Sequence, residues 1–513
     1  MQGVSSAEGS NPSLSARILD DSDRPGNPGH SLRNQSLSTD VLRFAPSPTG
    51  GFHVGNAGIA LFNYLYARKY GATLKLRIED TDAARSTEGS LKTITDGLDW
   101  MGIPFEGDPI FQSEQQAAHR AAADRLLASG AAYKFYATPE ELEAIRKQAQ
   151  KEKRATRYPR QSPEEQEEKA AAGVPGALFF AVPDGETVWD DPVRGEGRWD
   201  NSVIGDFVIA RSDGSPVYML AVVVDDHDMG VTFVLRGPDH ISNTPKQVML
   251  MQALGWDVPR YCHLPLLKAT DGSKLSKRKG STTVVEYQEA GYIPSAFVNF
   301  LALLNWAPGD GSEVYTLDAL VDAFTIEGVL TKDSIFDEKK LTWLNGEHFR
   351  LKSIDELLKI ATQVWVDAGL LEPAEAGGRD AELRKIVALM QPRVEKVDDF
   401  KNAFYFFRDP DSYDEDVYKK QWKTDTPERM SILIDRLKAL AEFSESDVEG
   451  VVRTLAGELG LSASNLIHPT RLSLCGVGFG PGLFELMEVL GQETCVRRME
   501  RALEVLEPKQ KVS

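Results

Sequence analysis

The chain has 513 residues, 42% hydrophobic and 26% charged, a balance that excludes a disordered or fibrous protein and calls for about three or four folded units. A formal charge of −19 excludes a general polyanion binder, because nonspecific nucleic-acid affinity rests on Lys and Arg neutralising phosphates; any RNA contact must come from local basic faces. No apolar run approaches the roughly 20 residues a bilayer requires. The longest candidate, Ala296 to Ala307, is interrupted by Asn299 and Asn305 and reads as a buried helix, so no membrane partner is expected. Cys262, Cys475 and Cys495 are too scattered for a disulfide framework or a zinc knuckle and fit a reducing compartment.

Residues 1–40 are rich in Ser, Asn, Gly and Pro without apolar periodicity, and the expectation is a disordered N-terminal extension. They lack the apolar centre of a secretory signal. Arg17, Arg24 and Arg33 among many serines suit an organellar transit peptide, while Glu8, Asp20, Asp21 and Asp23 count against one. A cytoplasmic location is expected, with mitochondrion or chloroplast as the alternative if this extension is a transit peptide. Folded sequence begins with the apolar run Val41 to Ala45, which ends in turn chemistry at Pro46-Ser47-Pro48-Thr49-Gly50-Gly51. Ala57 to Tyr70 then reads as a helix and Thr73 to Ile78 as a strand. This order predicts a parallel α/β sheet with a ligand site at the strand's carboxyl end. Next comes a segment, roughly 110 to 210, with a helix over Pro139 to Glu152 and a strand over Ala177 to Val182, read as an insertion splitting a nucleotide-binding fold. Lys151, Lys153, Arg154, Arg157 and Arg160 form a basic stretch within it that by itself reads as a solvated helix end. Val217 to Val224 and Val231 to Leu235 are expected strands, and Thr244 to Leu254 a helix. From Glu286 the pattern turns helical, and past Lys352 almost wholly so.

Two stretches invite chemistry. His53-Val54-Gly55-Asn56 lies between the glycine turn and the first helix, where unpaired N–H groups and the positive dipole end suit a phosphate, and Gly50, Gly51 and Gly55 allow close approach. Lys274-Leu275-Ser276-Lys277-Arg278-Lys279-Gly280 follows Asp271-Gly272 and, alone, is any exposed cationic turn.

Together they carry more. Arg43-Phe44-Ala45-Pro46-Ser47-Pro48-Thr49-Gly50, His53-Val54-Gly55-Asn56, Arg77-Ile78-Glu79-Asp80-Thr81-Asp82 and Lys274-Leu275-Ser276-Lys277-Arg278 resemble, in order, the signatures of bacterial-type glutamyl-tRNA synthetases, class I aminoacyl-tRNA synthetases. The resemblance covers about residues 41 to 513. It takes in Val223-Val224-Asp225-Asp226-His227, the stretch from Arg236 through His240 to Gln247, Trp343-Leu344-Asn345-Gly346, and Gly480-Pro481-Gly482-Leu483-Phe484-Glu485.

The family's fold is α/β: a Rossmann-type parallel-sheet catalytic domain split by an α/β insertion, then an all-helical C-terminal anticodon-binding region. Laid on this chain, it implies a catalytic first half over 41–115, an inserted acceptor-stem-binding domain over 116–210, and a catalytic second half with the lysine loop over 211–280. A stem-contact helical domain over 281–352 and a helical anticodon-binding region over 353–513 follow. The implied reaction is ATP-dependent ligation of L-glutamate to the 3′ end of tRNA(Glu) through a glutamyl adenylate, by a monomer, with magnesium held chiefly by ATP.

His53 is then an HIGH-type signature and the lysine loop a KMSKS-type one, with His53, Lys274 and Lys277 catalytic. Gly55, Asn56, Lys274, Leu275, Ser276 and Lys277 are implied ATP contacts; Asn56 stands where the family has a second histidine. Arg43, Ala45, Ser47, Glu79, Tyr218 and Arg236 are implied to line the glutamate pocket, Glu79 facing the substrate ammonium. A surface Glu79–Arg77 pair is the plain alternative. Asp82, Gln391 and Arg393 are implied tRNA contacts, and with both Gln391 and Arg393 present the charging of tRNA(Gln) stays open. Many relatives hold zinc through a Cys-x-Cys in the insertion. Here the stretch is Tyr133-Lys134-Phe135-Tyr136-Ala137-Thr138-Pro139-Glu140-Glu141, without either thiolate, and no structural zinc is expected. Glutaminyl-tRNA synthetase is the near rival, but it is expected to end in β-barrels. A noncatalytic tRNA-binding paralogue would not need the lysine clamp.

Overall fold

The computed structural model describes residues 39–81, 87–273, 275 and 282–506. All but the last two residues of the expected N-terminal extension lie outside that set, as do Asp82, Lys274, Ser276 and Lys277. The chain divides into two compact units, one comprising Met1–Glu289 with Phe297–Glu338, the other Ala290–Ala296 with Lys339–Ser513.

The first unit opens with β1 (Val41–Phe44), α1 (Val54–Tyr70), β2 (Thr73–Ile78), α2 (Glu88–Met101) and β3 (Ile110–Phe111). β1 pairs parallel with β2 in the register Val41 to Thr73, and β2 pairs parallel with β3. Gly71, at φ 70°, ends α1 in the left-handed region and turns the chain back into β2. An insertion follows: α3 (Gln116–Ala128), β4 (Ala132–Tyr136), α4 (Pro139–Lys151), α5 (Pro163–Ala171), β5 (Gly176–Phe180), β6 (Glu186–Trp189), β7 (Gly197–Asp200) and β8 (Phe207–Ala210). Here β4, β5 and β8 form an antiparallel sheet and β6 and β7 a hairpin. The α/β frame resumes with α6 (Tyr218–Asp228), β9 (Phe233–Arg236), α7 (Thr244–Leu254) and β10 (Arg260–His263), β9 and β10 pairing parallel. The Thr232 N–H donates to Val41 O at 3.0 Å where β9 begins, tying the two halves of the frame together. Asn63 on α1 adds a second tie, donating its side-chain amide to Leu235 O at 3.1 Å.

The strand expected over Val217 to Val224 is instead helix α6. Leu220 through Asp226 are all buried, so the sequence shows a continuous apolar run, and such a run looks alike in a buried strand and a buried helix. Val222, Val223 and Val224 tilt the reading towards strand, but packing overrides that weak preference. The buried helix expected over Ala296 to Ala307 is present as Pro294–Asn305.

Among its described residues the second unit contains helices and turns and no strand. Its helices include Ile354–Asp367, Asp380–Met390, Thr426–Lys438, Glu445–Glu458, Ser464–Cys475 and Gln492–Val505, packed on a core containing Trp365, Trp422, Leu433 and Met499. Ser353 and Glu356 cap the first of these reciprocally, the S-x-x-E pattern at work. Among the described residues no helix is long and apolar enough to cross a membrane.

Candidate active site

The carboxyl ends of the parallel strands converge. β1 delivers Arg43 and the turn Ala45-Pro46-Ser47, β2 delivers Glu79 one residue past its end, and β9 ends on Arg236. The Glu79 N–H donates to Pro46 O at 3.0 Å, joining the first two loops. Tyr218 enters as the first residue of α6. Arg43, Ala45, Ser47, Glu79, Tyr218 and Arg236 thus line one cavity of about 230 Å³, joined there by Thr49, Asn56, Ile59, Gly237 and His240.

Buried charge organises its wall. Asp226 Oδ1 accepts from Arg43 Nε at 3.0 Å and from Arg77 Nη1 at 2.5 Å, and Arg77 Nη2 donates to Glu79 Oε1 at 3.0 Å. The Glu79–Arg77 pair therefore forms, but buried rather than on the surface: Arg77 is 0% and Glu79 10% exposed. Asp225, next to Asp226, accepts from Gln112 Nε2 at 2.6 Å and sits 2.6 Å from His119 Nε2. Burial opposes the charge on Asp226, yet Arg43 and Arg77 outweigh it and hold the carboxyl below the usual range. At Glu79 burial wins and raises the carboxyl against the pull of Arg77. Arg43 spends only its Nε on protein among the described residues, leaving its two terminal nitrogens for a ligand. Arg236 has no carboxylate in ion-pair contact among the described residues. Its partners are Gln247 Oε1 at 2.7 Å, Thr244 Oγ1 at 2.8 Å, His240 O at 3.3 Å and His263 Nε2 at 3.2 Å. Burial pulls its guanidinium down, but a guanidinium stays charged in proteins.

A second cavity, about 370 Å³, adjoins the first and shares Asn56, Ile59 and Gly237 with it. His53, Val54 and Gly55 line it at the start of α1, joined by Pro238, Asp239, Leu264 to Leu267, Leu275, Thr282 and Asn305. His53 is the N-cap of α1 without a side-chain cap bond, no acidic residue sits in that helix's first turn, and a Cβ placed on Gly55 would meet nothing within 4 Å. Gly51 has a different reason: a Cβ there would lie 2.8 Å from Thr283 Cγ2. That close approach brings the chain just after the lysine run against the glycine turn, where the Val54 N–H donates to Thr282 O at 3.0 Å and the Val284 N–H to Phe52 O at 2.9 Å.

The remaining candidates are placed elsewhere. Gln391 donates its side-chain amide to Phe349 O, Arg350 O and Lys352 O at 3.0, 3.2 and 2.8 Å, so its Nε2 serves as a helix C-cap. Arg393, beside it, is exposed and bonds Leu389 O at 3.0 Å. Of the basic stretch in the insertion, Arg157 holds Asn201 O at 3.3 Å and Arg160 stacks 3.4 Å over Tyr133. Lys151, Lys153 and Arg154 are exposed. Phe135 and Ala137, where relatives would carry thiolates, are buried, and Phe135 packs on Tyr158 and Phe179 at 5.2 and 5.9 Å. The donor set there does not fit zinc.

Residues 41–343 match the family described as tRNA synthetases class I (E and Q), catalytic domain, and residues 356–503 an anticodon binding domain. The chain is 40% identical over 479 residues to glutamate–tRNA ligase 1 of Caldanaerobacter subterraneus subsp. tengcongensis, covering 92% of this chain and 99% of that one. The chain belongs to the glutamate–tRNA ligases. A further member of that family, glutamate–tRNA ligase 2 of Koribacter versatilis, is 42% identical over 482 residues, 92% of this chain and 100% of its own. The crystal structure of a glutamate tRNA ligase from Elizabethkingia meningosepticum, in complex with its amino acid, superposes with a TM-score of 0.83 at 30% identity, covering 92% of this chain and 100% of that one. Within this ligase frame, sequence reasoning missed His240, which lines the smaller cavity, and Asp226, which holds Arg43 and Arg77. The run Arg236-Gly237-Pro238-Asp239-His240 held the one available signal, a histidine four residues beyond a pocket arginine.

Proposed function

We propose that this chain joins L-glutamate to the 3′ end of tRNA(Glu) in two steps, through a glutamyl adenylate made from ATP. The observation that carries the reading is the junction of the two cavities at Asn56 and Gly237. Attack of a carboxylate on the α-phosphate of ATP needs the reacting atoms about 3–3.5 Å apart, which two adjoining pockets supply without a protein nucleophile. In the smaller cavity, Arg43 and Arg236 take the substrate's side-chain carboxylate, Glu79 faces its ammonium, and Ala45, Ser47 and Tyr218 shape the remainder. In the larger, His53 donates to the phosphates and the N–H groups at Gly55 and Asn56 receive negative charge at the helix start. Leu275 and Thr282 line this cavity, which supports a role for the lysine run, and for Lys274 and Lys277 within it, in clamping the departing pyrophosphate. Among the described residues Asp239 is the sole carboxylate lining it, so a magnesium ion would come with the nucleotide, held mainly by the triphosphate and neutralising its charge. In the second step a hydroxyl of the terminal adenosine attacks the mixed anhydride and AMP leaves.

The tRNA contacts read from the sequence, at Asp82, Gln391 and Arg393, belong to the same proposal, as does the division into an inserted acceptor-stem domain and a helical anticodon region. Three buried cysteines without a disulfide suit a reducing compartment such as the cytoplasm.

Arg236→Ala tests the reading. Glutamine in place of glutamate leaves a buried guanidinium without a counter-charge, at a cost of about 3–5 kcal/mol, or roughly a hundred- to a few-thousandfold. The variant should lose most of that preference in a charging assay run with both amino acids, and unchanged selectivity would overturn the assignment. Charging tRNA(Glu) and tRNA(Gln) side by side reads the tRNA range.

A further inference from the structure

Among the described residues Arg236 reaches a carboxylate only through a histidine. An arginine can only donate, so His263 Nε2, 3.2 Å from Arg236 Nε, must be the lone-pair nitrogen, and the ring proton sits on Nδ1. That nitrogen lies 2.8 Å from Asp191 Oδ2, and both side chains are almost wholly buried. Asp191 accepts four N–H groups: Oδ2 takes His263 Nδ1 and the His263 backbone at 3.2 Å, and Oδ1 takes Val193 and Arg194 at 3.0 Å each. A neutral amide could not accept all four, so the site is built for a carboxylate.

We propose that Asp191, carried by the insertion, and His263 are positioning residues of the amino-acid pocket. Asp191 fixes the His263 tautomer, and His263 Nε2 in turn fixes the rotation of the Arg236 guanidinium where it lines the cavity. The inference rests on the reading of that cavity as the glutamate site. A carboxylate directly on Arg236 would neutralise it and remove the pocket's demand for an anion. A neutral imidazole placed between them steadies the cation while leaving its charge for the substrate.

Two substitutions of the histidine separate its two bonds. His263→Asn keeps a donor for Asp191 but loses the acceptor for Arg236, and His263→Gln keeps an acceptor at the Nε2 position but loses the Asp191 bond. In tRNA charging by the full chain, His263→Asn should raise the glutamate KM about tenfold or more, the scale of one hydrogen bond to a charged group, and lower the glutamate-over-glutamine preference by a similar factor, with the ATP KM unchanged. His263→Gln should recover a large part of both. Should His263→Asn fail to fold, Asp191→Asn, which changes no volume, reads the same split. Equal shifts in both KM values, unchanged selectivity in His263→Asn or Asp191→Asn, or a His263→Gln no better than His263→Asn would overturn the proposal. Arg236→Ala run in parallel distinguishes the failures: if it too leaves selectivity intact, the pocket assignment falls, and if it alone destroys selectivity, only the positioning role falls.

Discussion

His240 lines the smaller cavity as a neutral ring. Burial pulls it down to about 4 against the opposing carboxylate of Asp239, so at neutral pH its Nδ1 is free to accept from the Tyr218 hydroxyl, 3.0 Å away. An unfolded imidazole takes its proton near about 6.5. Between about 6.5 and 4 the unfolded chain therefore holds more protons than the folded one, and this residue makes stability fall as pH drops through that window and leaves it whole above it. His240→Gln should flatten that part of the curve, read as the difference between denaturation midpoints at about pH 7.5 and 5; an unaltered difference would show that the ring is not held neutral. The residues of the pocket were legible only in part, and for a physical reason. Arg43, Glu79, Tyr218 and Arg236 could be picked out because they lie in stretches that resemble one family's signatures, and they do line one cavity. The groups that aim them could not be, because their pairings exist only after folding: Arg43 and Asp226 are 183 residues apart.

Elements succeed or fail by how their faces are buried. β2 and α7 keep the bounds expected of them, whereas α6, whose first seven residues are a run without a charge, reads as a strand in sequence. The insertion is held by apolar packing at the stretch expected to lack zinc. β4 sends Phe135 into a cluster with Tyr158 and Phe179, whose rings lie 4.6 Å apart, and Thr138 begins α4 with a reciprocal cap to Glu141. Apolar packing of that kind can supply what a structural ion would otherwise contribute. Phe135→Ala should cost about 3–5 kcal/mol, the range for removing a buried ring, and lower the melting temperature without changing the kcat of adenylate formation. Metal analysis of the purified chain should find no stoichiometric zinc, and a chelator should leave melting untouched. Stoichiometric zinc, or a Phe135→Ala protein as stable as the parent, would refute this account of the insertion.

Across the whole molecule, an acidic chain at −19 has to handle two polyanions, ATP and tRNA, so its few concentrated cations carry disproportionate weight. The run Lys274 to Lys279 is the densest of them. All of it but Leu275 falls outside the described residues; Leu275 lines the larger cavity, and the chain that follows the run is tied to the glycine turn through Thr282, Thr283 and Val284. Sequence spacing gave no hint of that closure, because more than two hundred residues and an insertion separate the two motifs; only their joint resemblance to one family suggested it. A lysine that meets phosphate mostly as pyrophosphate departs contributes to the transition state rather than to the ground state. Lys277→Ala should therefore cut glutamate-dependent pyrophosphate exchange about a hundredfold or more, the scale of losing one preorganised donor to developing charge, while the glutamate KM stays within about threefold. Exchange measured with and without tRNA(Glu) separates a damaged clamp from a lost tRNA contact: a clamp defect persists at saturating tRNA, and a contact defect is relieved by it. A raised KM with full turnover would mean that Lys277 only gathers substrate, and the two motifs would then not act on one nucleotide.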